Sequence, residues 1–194
     1  MTHVSSLCVY CGSRTGIDPA YRQAAEQLGR LMAQHGIRLV YGGGRIGLMG
    51  VLADAVLAGG GSVVGIIPHH LEAREVGHHG VGELRVVDSM HSRKNEMFAL
   101  ADAFAVLPGG LGTLDETFEI LTWRQLELHD KPIVLVNVAG YWDPFLKLLE
   151  RIDNTGFMAP ECWRLFVVVE RPEDVIATIR RLPPPAVAEA PELL

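Results

Sequence analysis

Lysine is almost absent: the 194-residue chain holds Lys94, Lys131 and Lys147 and no others. A Walker-type phosphate loop needs a Lys directly after its last glycine. None of the three stands there, which argues against nucleoside triphosphate hydrolysis. Cysteine is as scarce, with Cys8, Cys11 and Cys162. Cys8 and Cys11 spell C-x-x-C, but zinc would want a second pair or two histidines at ligand spacing. A redox pair would want its second Cys at a helix N-terminus, whereas Gly12, Gly16 and Pro19 intervene before any helix. Both cysteines are read as small strand and loop residues. Basic charge is short as well, 17 Lys and Arg against 23 Asp and Glu for a net charge of −6. That balance lacks the basic stripe of a nucleic-acid binder, although a small anionic ligand needs only a local site. No run reaches the roughly eighteen apolar residues of a membrane span. The start, MTHVSSLCVYCGSR, has neither the basic n-region nor the long apolar h-region of a signal peptide, so a cytoplasmic protein is expected.

What the chain does have is a core-forming composition, 48% apolar and 21% charged, in a length that suits one α/β domain. Short β-rich runs alternate with helical stretches, the pattern of βαβ units. Candidate strands are Ser6–Tyr10, Arg38–Tyr41, Ser62–Ile67, Leu84–Val87, Ala103–Leu107, Ile133–Val136 and Phe166–Val169. Most are unbroken apolar runs, as expected of strands covered on both faces. Candidate helices cover Pro19–His35, with Asp18 as N-cap and Gly36 as stop, then Gly47–Ala58, Ser92–Ala101, Leu114–Leu128, Pro144–Asn154 and Pro172–Arg181. The expectation is a doubly wound, Rossmann-like α/β fold: a mainly parallel sheet of about seven strands with helices on both faces. Residues 1–182 would form this one nucleotide-binding domain. The proline-rich PPPAVAEAPELL, residues 183–194, would be a disordered tail.

Such a fold binds ligand at the carboxyl ends of its strands, and three turns there are rich in glycine. The first is Cys11-Gly12-Ser13-Arg14. The second, YGGGRIGLMG, satisfies G-x-G-x-x-G through Gly42, Gly44 and Gly47, but lies in the second βα unit. A dinucleotide site would also want an acid about twenty residues on, where Pro68-His69 stands instead. The third is Pro108-Gly109-Gly110-Leu111-Gly112-Thr113. Its glycines let backbone N–H groups surround an anion, with the positive end of a helix behind them. Without a Lys and magnesium clamp, a monophosphate fits best. Ser13, Gly43 and Gly44 are the residues of the first two turns expected to face the ligand.

The third turn runs into Asp115, Glu116 and Glu119, acids beside an anion site. Thr113-Leu114-Asp115-Glu116 is also a capping box, T-x-x-E, so a helix-stabilising reading stands beside a functional one. A functional carboxylate there must face some part of the ligand other than its phosphate, such as a ribose hydroxyl or a developing sugar cation. Arg93 and Lys94, at or near the start of the helix that leads into the fifth strand, are within reach of the same cleft. Either they serve the ligand or they form a solvated helix face.

The blocks YGGGRIGLMG (Tyr41–Gly50), MHSRK (Met90–Lys94), PGGLGTLDE (Pro108–Glu116) and LTWRQLELHDKPIVLVN (Leu121–Asn137) resemble those of the LOG (Lonely Guy) family. Its members are cytokinin riboside 5′-monophosphate phosphoribohydrolases, long mislabelled as lysine decarboxylases. The likeness spans nearly the whole chain except the tail. It implies a homodimer that takes a purine nucleoside 5′-monophosphate, AMP or an N6-modified cytokinin nucleotide, and releases the base and ribose 5-phosphate without metal or organic cofactor. Under that resemblance Arg93 and Glu116 match the catalytic pair, and Lys94 a neighbouring ligand contact. Pro108, Gly109, Gly110, Leu111, Gly112, Thr113 and Leu114 match the phosphate-and-ribose loop. Glu75, in EAREV, matches an acid near the base or ribose.

The implied chemistry agrees with the residues. Breaking an N-glycosidic bond builds positive charge at the ribose C1′, which a carboxylate stabilises while it orients water. A decarboxylase would need pyridoxal phosphate on a lysine, and none of the three lies in such a context. A rival is a binding protein such as the molybdenum-cofactor carriers, similar in their glycine turns but with no need of a carboxylate at the sugar. His69, His70, His78 and His79 match no metal spacing and are read as exposed or nucleotide-lining. Trp123 and Trp142 are read as core or dimer-contact residues.

Overall fold

Residues 3–72, 77, 78, 80 and 82–186 are described by the computed structural model. Among them seven strands form one sheet: β1 Ser6–Tyr10, β2 Arg38–Tyr41, β3 Val63–Pro68, β4 Glu83–Val87, β5 Ala103–Val106, β6 Ile133–Val136 and β7 Val167–Val169. The order is β4-β3-β2-β1-β5-β6-β7 and every pairing is parallel. The helices are α1 Pro19–Gln34, α2 Gly47–Ala58, α3 His69–Glu72, α4 Met90–Leu100, α5 Leu111–Gln125, α6 Asp143–Asn154 and α7 Glu173–Arg181.

The apolar runs of the central strands are unbroken because both their faces are covered. Alternate residues of a strand point to opposite faces. Leu7 and Val9 of β1 join one core with α1, α2 and α7, while Cys8 and Tyr10 join the other with α4, α5 and α6. The first core closes through Leu28 and Met32 of α1 against Leu52 and Val56 of α2, all fully buried. The second is built on Phe98 of α4 and Phe104 of β5, whose rings stack 5.9 Å apart. Each such side chain contributes about 1.5–3 kcal/mol on removal from water.

The sheet order sets the position of the ligand cleft. From β1 the chain builds outward to β4 on one side, then returns to build β5, β6 and β7 on the other. Loops leaving β1 and β5 therefore diverge, and a crevice opens at their carboxyl ends. Gly12 N–H donates to the Pro108 carbonyl at 3.0 Å and Leu48 N–H to the Gly12 carbonyl at 3.0 Å, so the three glycine turns are laced together.

Three helices start earlier than the sequence suggests, α6 by one residue at Asp143 and two others by more. Ser89 caps α4, its Oγ accepting from Ser92 N–H at 3.0 Å, so Met90 rather than Ser92 opens that helix. Helix α5 opens at Leu111 rather than Leu114, with Gly110 as a cap that has no side chain to offer. Thr113 thus lies inside the first turn and Glu116 beyond it, and the T-x-x-E capping box does not form. The expected cap of α1 does, with Asp18 accepting from Ala20 N–H at 2.8 Å. Of the proline-rich tail, 183–186 are described, and Ala186 N–H donates to Asp130 at 2.6 Å. Residues 187–194 lie outside the described residues.

Candidate active site

Two cavities meet at the β1/β5 crevice. A narrow one of about 160 Å³ is lined by Tyr10, Cys11, Ser13, Gly42, three methionines (Met49, Met90, Met97), Arg93, Gly110–Thr113 and Glu116. A wider one of about 510 Å³ lies on the other side of the third turn, against Gly12–Gly16, Tyr21, Leu48, Pro108–Leu111 and Tyr141. Ser13, Gly110 and Leu111 belong to both, so the two chambers share a mouth beside the start of α5.

Two charged side chains lie buried in the narrow chamber, Arg93 at 5% and Glu116 at 8% exposed. Arg93 reaches it from the second turn of α4. Its Nη2 donates to the Gly42 carbonyl at 2.8 Å and its Nε to the Ile66 carbonyl at 3.2 Å, with Nη1 beside the Met90 sulfur at 3.8 Å. A backbone oxygen just past β2 and another within β3 thus orient the guanidinium. A Cβ at position 42 would occupy the space of the guanidinium itself, so any larger residue there would have to displace the Arg93 head group. Glu116 is carried in by α5, the second turn of which is pinned by Thr117 Oγ1 donating to the Thr113 carbonyl at 2.6 Å.

The three acids that follow the glycines separate cleanly. The Lys94 ammonium lies 2.9 Å from Glu119 and 3.2 Å from Asp115. Burial opposes its charge, yet the hydrogen bonds to Glu119 and Asp115 outweigh that and hold the ammonium above its usual value. Lys94 thus pairs with the two acids outside the chamber, offsetting part of their charge, and does not line it, leaving Glu116 as the carboxylate inside. Burial also pushes up the Cys11 thiol, with the Glu116 charge adding to the shift and Arg93 opposing it. Cys8 follows the same pattern, so neither cysteine is a ready nucleophile, and both are free thiols.

At the mouth, the N–H groups of Leu111, Gly112 and Thr113 open α5 and have no acceptor within the helix. Together with the helix dipole they suit an anion. Thr113 Oγ1 packs so tightly on Gly109 that no Cβ fits there either.

The fold brings together Arg93, Glu116, Ser13, Gly110, Leu111, Gly112 and Thr113 on the narrow chamber, and Pro108 and Gly109 on the wide one. It does not bring in Gly43, Gly44 or Leu114. Gly43 is packed under Ile67 and Leu84, and Gly44 pairs across to Gly77, so Gly42 alone of the three neighbours faces the chamber. Leu114 joins the α5 side of the core. Glu75 and His79 lie outside the described residues. His69 and His70 are exposed, but His78 is neither exposed nor on the cleft. It is buried, with Nδ1 3.3 Å from the Tyr41 hydroxyl and Nε2 3.3 Å from Asp54, and burial lowers its pKa against the pull of Asp54. Trp142 is buried, and Trp123 packs edge-on to Phe98 at 5.3 Å. Sequence reasoning missed Tyr141, Tyr21, Cys11 and the methionines of the two chambers.

The protein family described as possible lysine decarboxylase matches residues 49–179. The cytokinin riboside 5′-monophosphate phosphoribohydrolase LOG of Oryza sativa subsp. japonica is 46% identical over 92% of this chain and 74% of its own length. That of Rhodococcoides fascians is 48% identical over 90% of this chain and 89% of its own. Among solved structures, the molybdenum cofactor carrier protein of Chlamydomonas reinhardtii superposes with a TM-score of 0.69, covering 92% of this chain and 98% of that one. At 22% identity that likeness speaks for the fold alone.

Proposed function

The chain belongs to the LOG family of nucleoside monophosphate phosphoribohydrolases, and from that membership we propose that it hydrolyses the N-glycosidic bond of purine nucleoside 5′-monophosphates, AMP or N6-modified relatives. The products are the free base and ribose 5-phosphate. One observation carries the reading. A buried carboxylate, Glu116, lines the same narrow chamber as the buried Arg93, one turn beyond a helix start suited to a phosphate.

In this reading the opening amides of α5 and the glycines before it bind the 5′-phosphate. The ribose then reaches inward, C1′ toward Glu116. As the bond from C1′ to the base nitrogen lengthens, positive charge grows on the sugar, and a carboxylate away from bulk water stabilises it strongly. Glu116 also accepts the proton of the attacking water, whose oxygen bonds to C1′. The base leaves with its electron pair and takes a proton from solvent on its ring nitrogen, and Glu116 afterwards gives its own back to solvent. Arg93, fixed by the Gly42 and Ile66 carbonyls, anchors the nucleotide. Lys94 keeps Asp115 and Glu119 from repelling the phosphate, and Glu75 contributes near the base or ribose. The reaction asks for no metal or organic cofactor. We further propose that residues 1–182 act as one nucleotide-binding domain, in a cytoplasmic homodimer. Among the described residues no helix is long and apolar enough to cross a membrane.

A carrier of a phosphorylated ligand would need the glycine turns but no carboxylate beside the sugar. Comparing base release from AMP and from adenosine at low concentration tests the reading, because the phosphate should supply much of the binding that brings the ribose to Glu116. Release from AMP with little from adenosine is expected, and no release from either refutes hydrolysis.

A further inference from the structure

The turn that the proposed function assigns to phosphate is intrinsically loose. Gly109 and Gly110 are consecutive glycines, and a Cβ at Gly110 would meet nothing within 4 Å. Such a pair loses much backbone entropy when it is fixed, and contacts from around it keep it in one conformation. The neighbouring carbonyls of Pro108 and Gly110 accept from Gly12 and Leu114 N–H, both at 3.0 Å. The Gly109 carbonyl oxygen is held from a residue 32 positions away, where the Tyr141 hydroxyl donates to it.

Tyr141 is itself delivered with care. Its ring packs edge-on to Tyr21 at 5.3 Å and to the buried Trp142 at 4.9 Å. Asn137, at the end of β6, accepts from Trp142 N–H at 2.7 Å and donates to Asp143 at 2.9 Å, which closes the loop on itself. Between them Ala139 adopts φ 51° and ψ 33°, a left-handed conformation uncommon for a residue with a side chain. Strain of this kind costs on folding and is concentrated where function fixes geometry.

We infer that Tyr141 is a positioning residue for the phosphate of the substrate, an inference that rests on the phosphoribohydrolase reading. A peptide unit is planar and trans, so its N–H points opposite to its C=O. Holding the Gly109 oxygen toward Tyr141, on the wide-chamber side, turns the Gly110 N–H to the other side of the turn. There it joins the amides that open α5. Tyr141 touches no reacting atom. It acts through Gly109, and its contribution belongs to phosphate affinity rather than to bond cleavage.

Tyr141→Phe keeps the ring contacts and removes only the hydroxyl. The expected result is a KM for AMP raised about ten-fold, the weight of one such hydrogen bond, with kcat within about two-fold. The inhibition constant of ribose 5-phosphate should rise by the same factor, while that of adenine, which has no phosphate, stays put. A merely structural role would shift both constants together and lower the melting temperature. Either that pattern or an unchanged KM overturns the inference. Calorimetric binding of inorganic phosphate to wild type and Tyr141→Phe reads the same contact without turnover. A wild type that binds phosphate yet cleaves no nucleotide would sink the phosphoribohydrolase reading, while equal phosphate binding by the two proteins would sink this one.

Discussion

The guanidinium of Arg93 donates to the carbonyl oxygen of Gly42, 51 positions earlier in the chain, across 2.8 Å. A buried cation held by backbone oxygens is fixed by the sheet rather than by a mobile side chain, and the sheet can keep it in place before any ligand arrives. Gly42→Ala tests that arrangement at its tightest point, because the added methyl group competes for the space of the guanidinium. Displacing a positioning cation by about an ångström typically costs about 10²-fold in rate. We expect kcat/KM for AMP to fall by that order in steady-state assays, and near-normal activity would show that Arg93 need not sit there.

Much of this was legible in the sequence and some was not, for physical reasons. The strands β1, β2 and β6 were readable to the residue because both their faces are buried and their apolar runs end sharply. The start of α5 was not, since Gly110 caps without a side chain and T-x-x-E three residues later imitates a start. Nor does a run of three glycines disclose which one faces a ligand. Gly42 is selected by Arg93, a contact made only once α4 lies over β2 and β3. In sequence His78 reads as exposed or nucleotide-lining because it stands in an irregular stretch with no metal spacing, but its partners Tyr41 and Asp54 come from distant elements. Arg93 and Glu116 could be singled out together because one helix leads straight into the strand that carries the other's turn.

Lys94 separates charge that would otherwise face the phosphate. Lys94→Gln leaves Asp115 and Glu119 uncompensated on α5. The expected effect is a several-fold higher KM for the nucleotide, about three- to ten-fold, with kcat little altered. The effect should shrink as salt is raised, because the acids are partly exposed and screened. A KM independent of salt and unchanged from wild type would contradict the neutralising role.

His129 makes the fold sensitive to acid. Its imidazole is 1% exposed, and burial, opposed by the Ile120 carbonyl and reinforced by Arg124 and Lys131, lowers its pKa from 6.5 to about 4. Between those values the unfolded chain takes up a proton that the folded one excludes. Stability therefore falls as the pH drops through this window, by up to about 3 kcal/mol from this group. Urea unfolding at pH 7 and pH 4.5 should show the loss, and His129→Gln should flatten it. A slope equal to that of wild type in the variant would assign the acid sensitivity elsewhere.

The central claim is that Glu116 breaks a bond that the glycine turns only position. Its most direct test is product analysis by chromatography with wild type and Glu116→Gln, on AMP and on N6-isopentenyl-AMP. Wild type should release base and ribose 5-phosphate in equal amounts from at least one of them, and Glu116→Gln should lose about 10²- to 10⁴-fold in rate. Intact nucleotide after long incubation with wild type, or near-normal turnover by Glu116→Gln, would contradict the account.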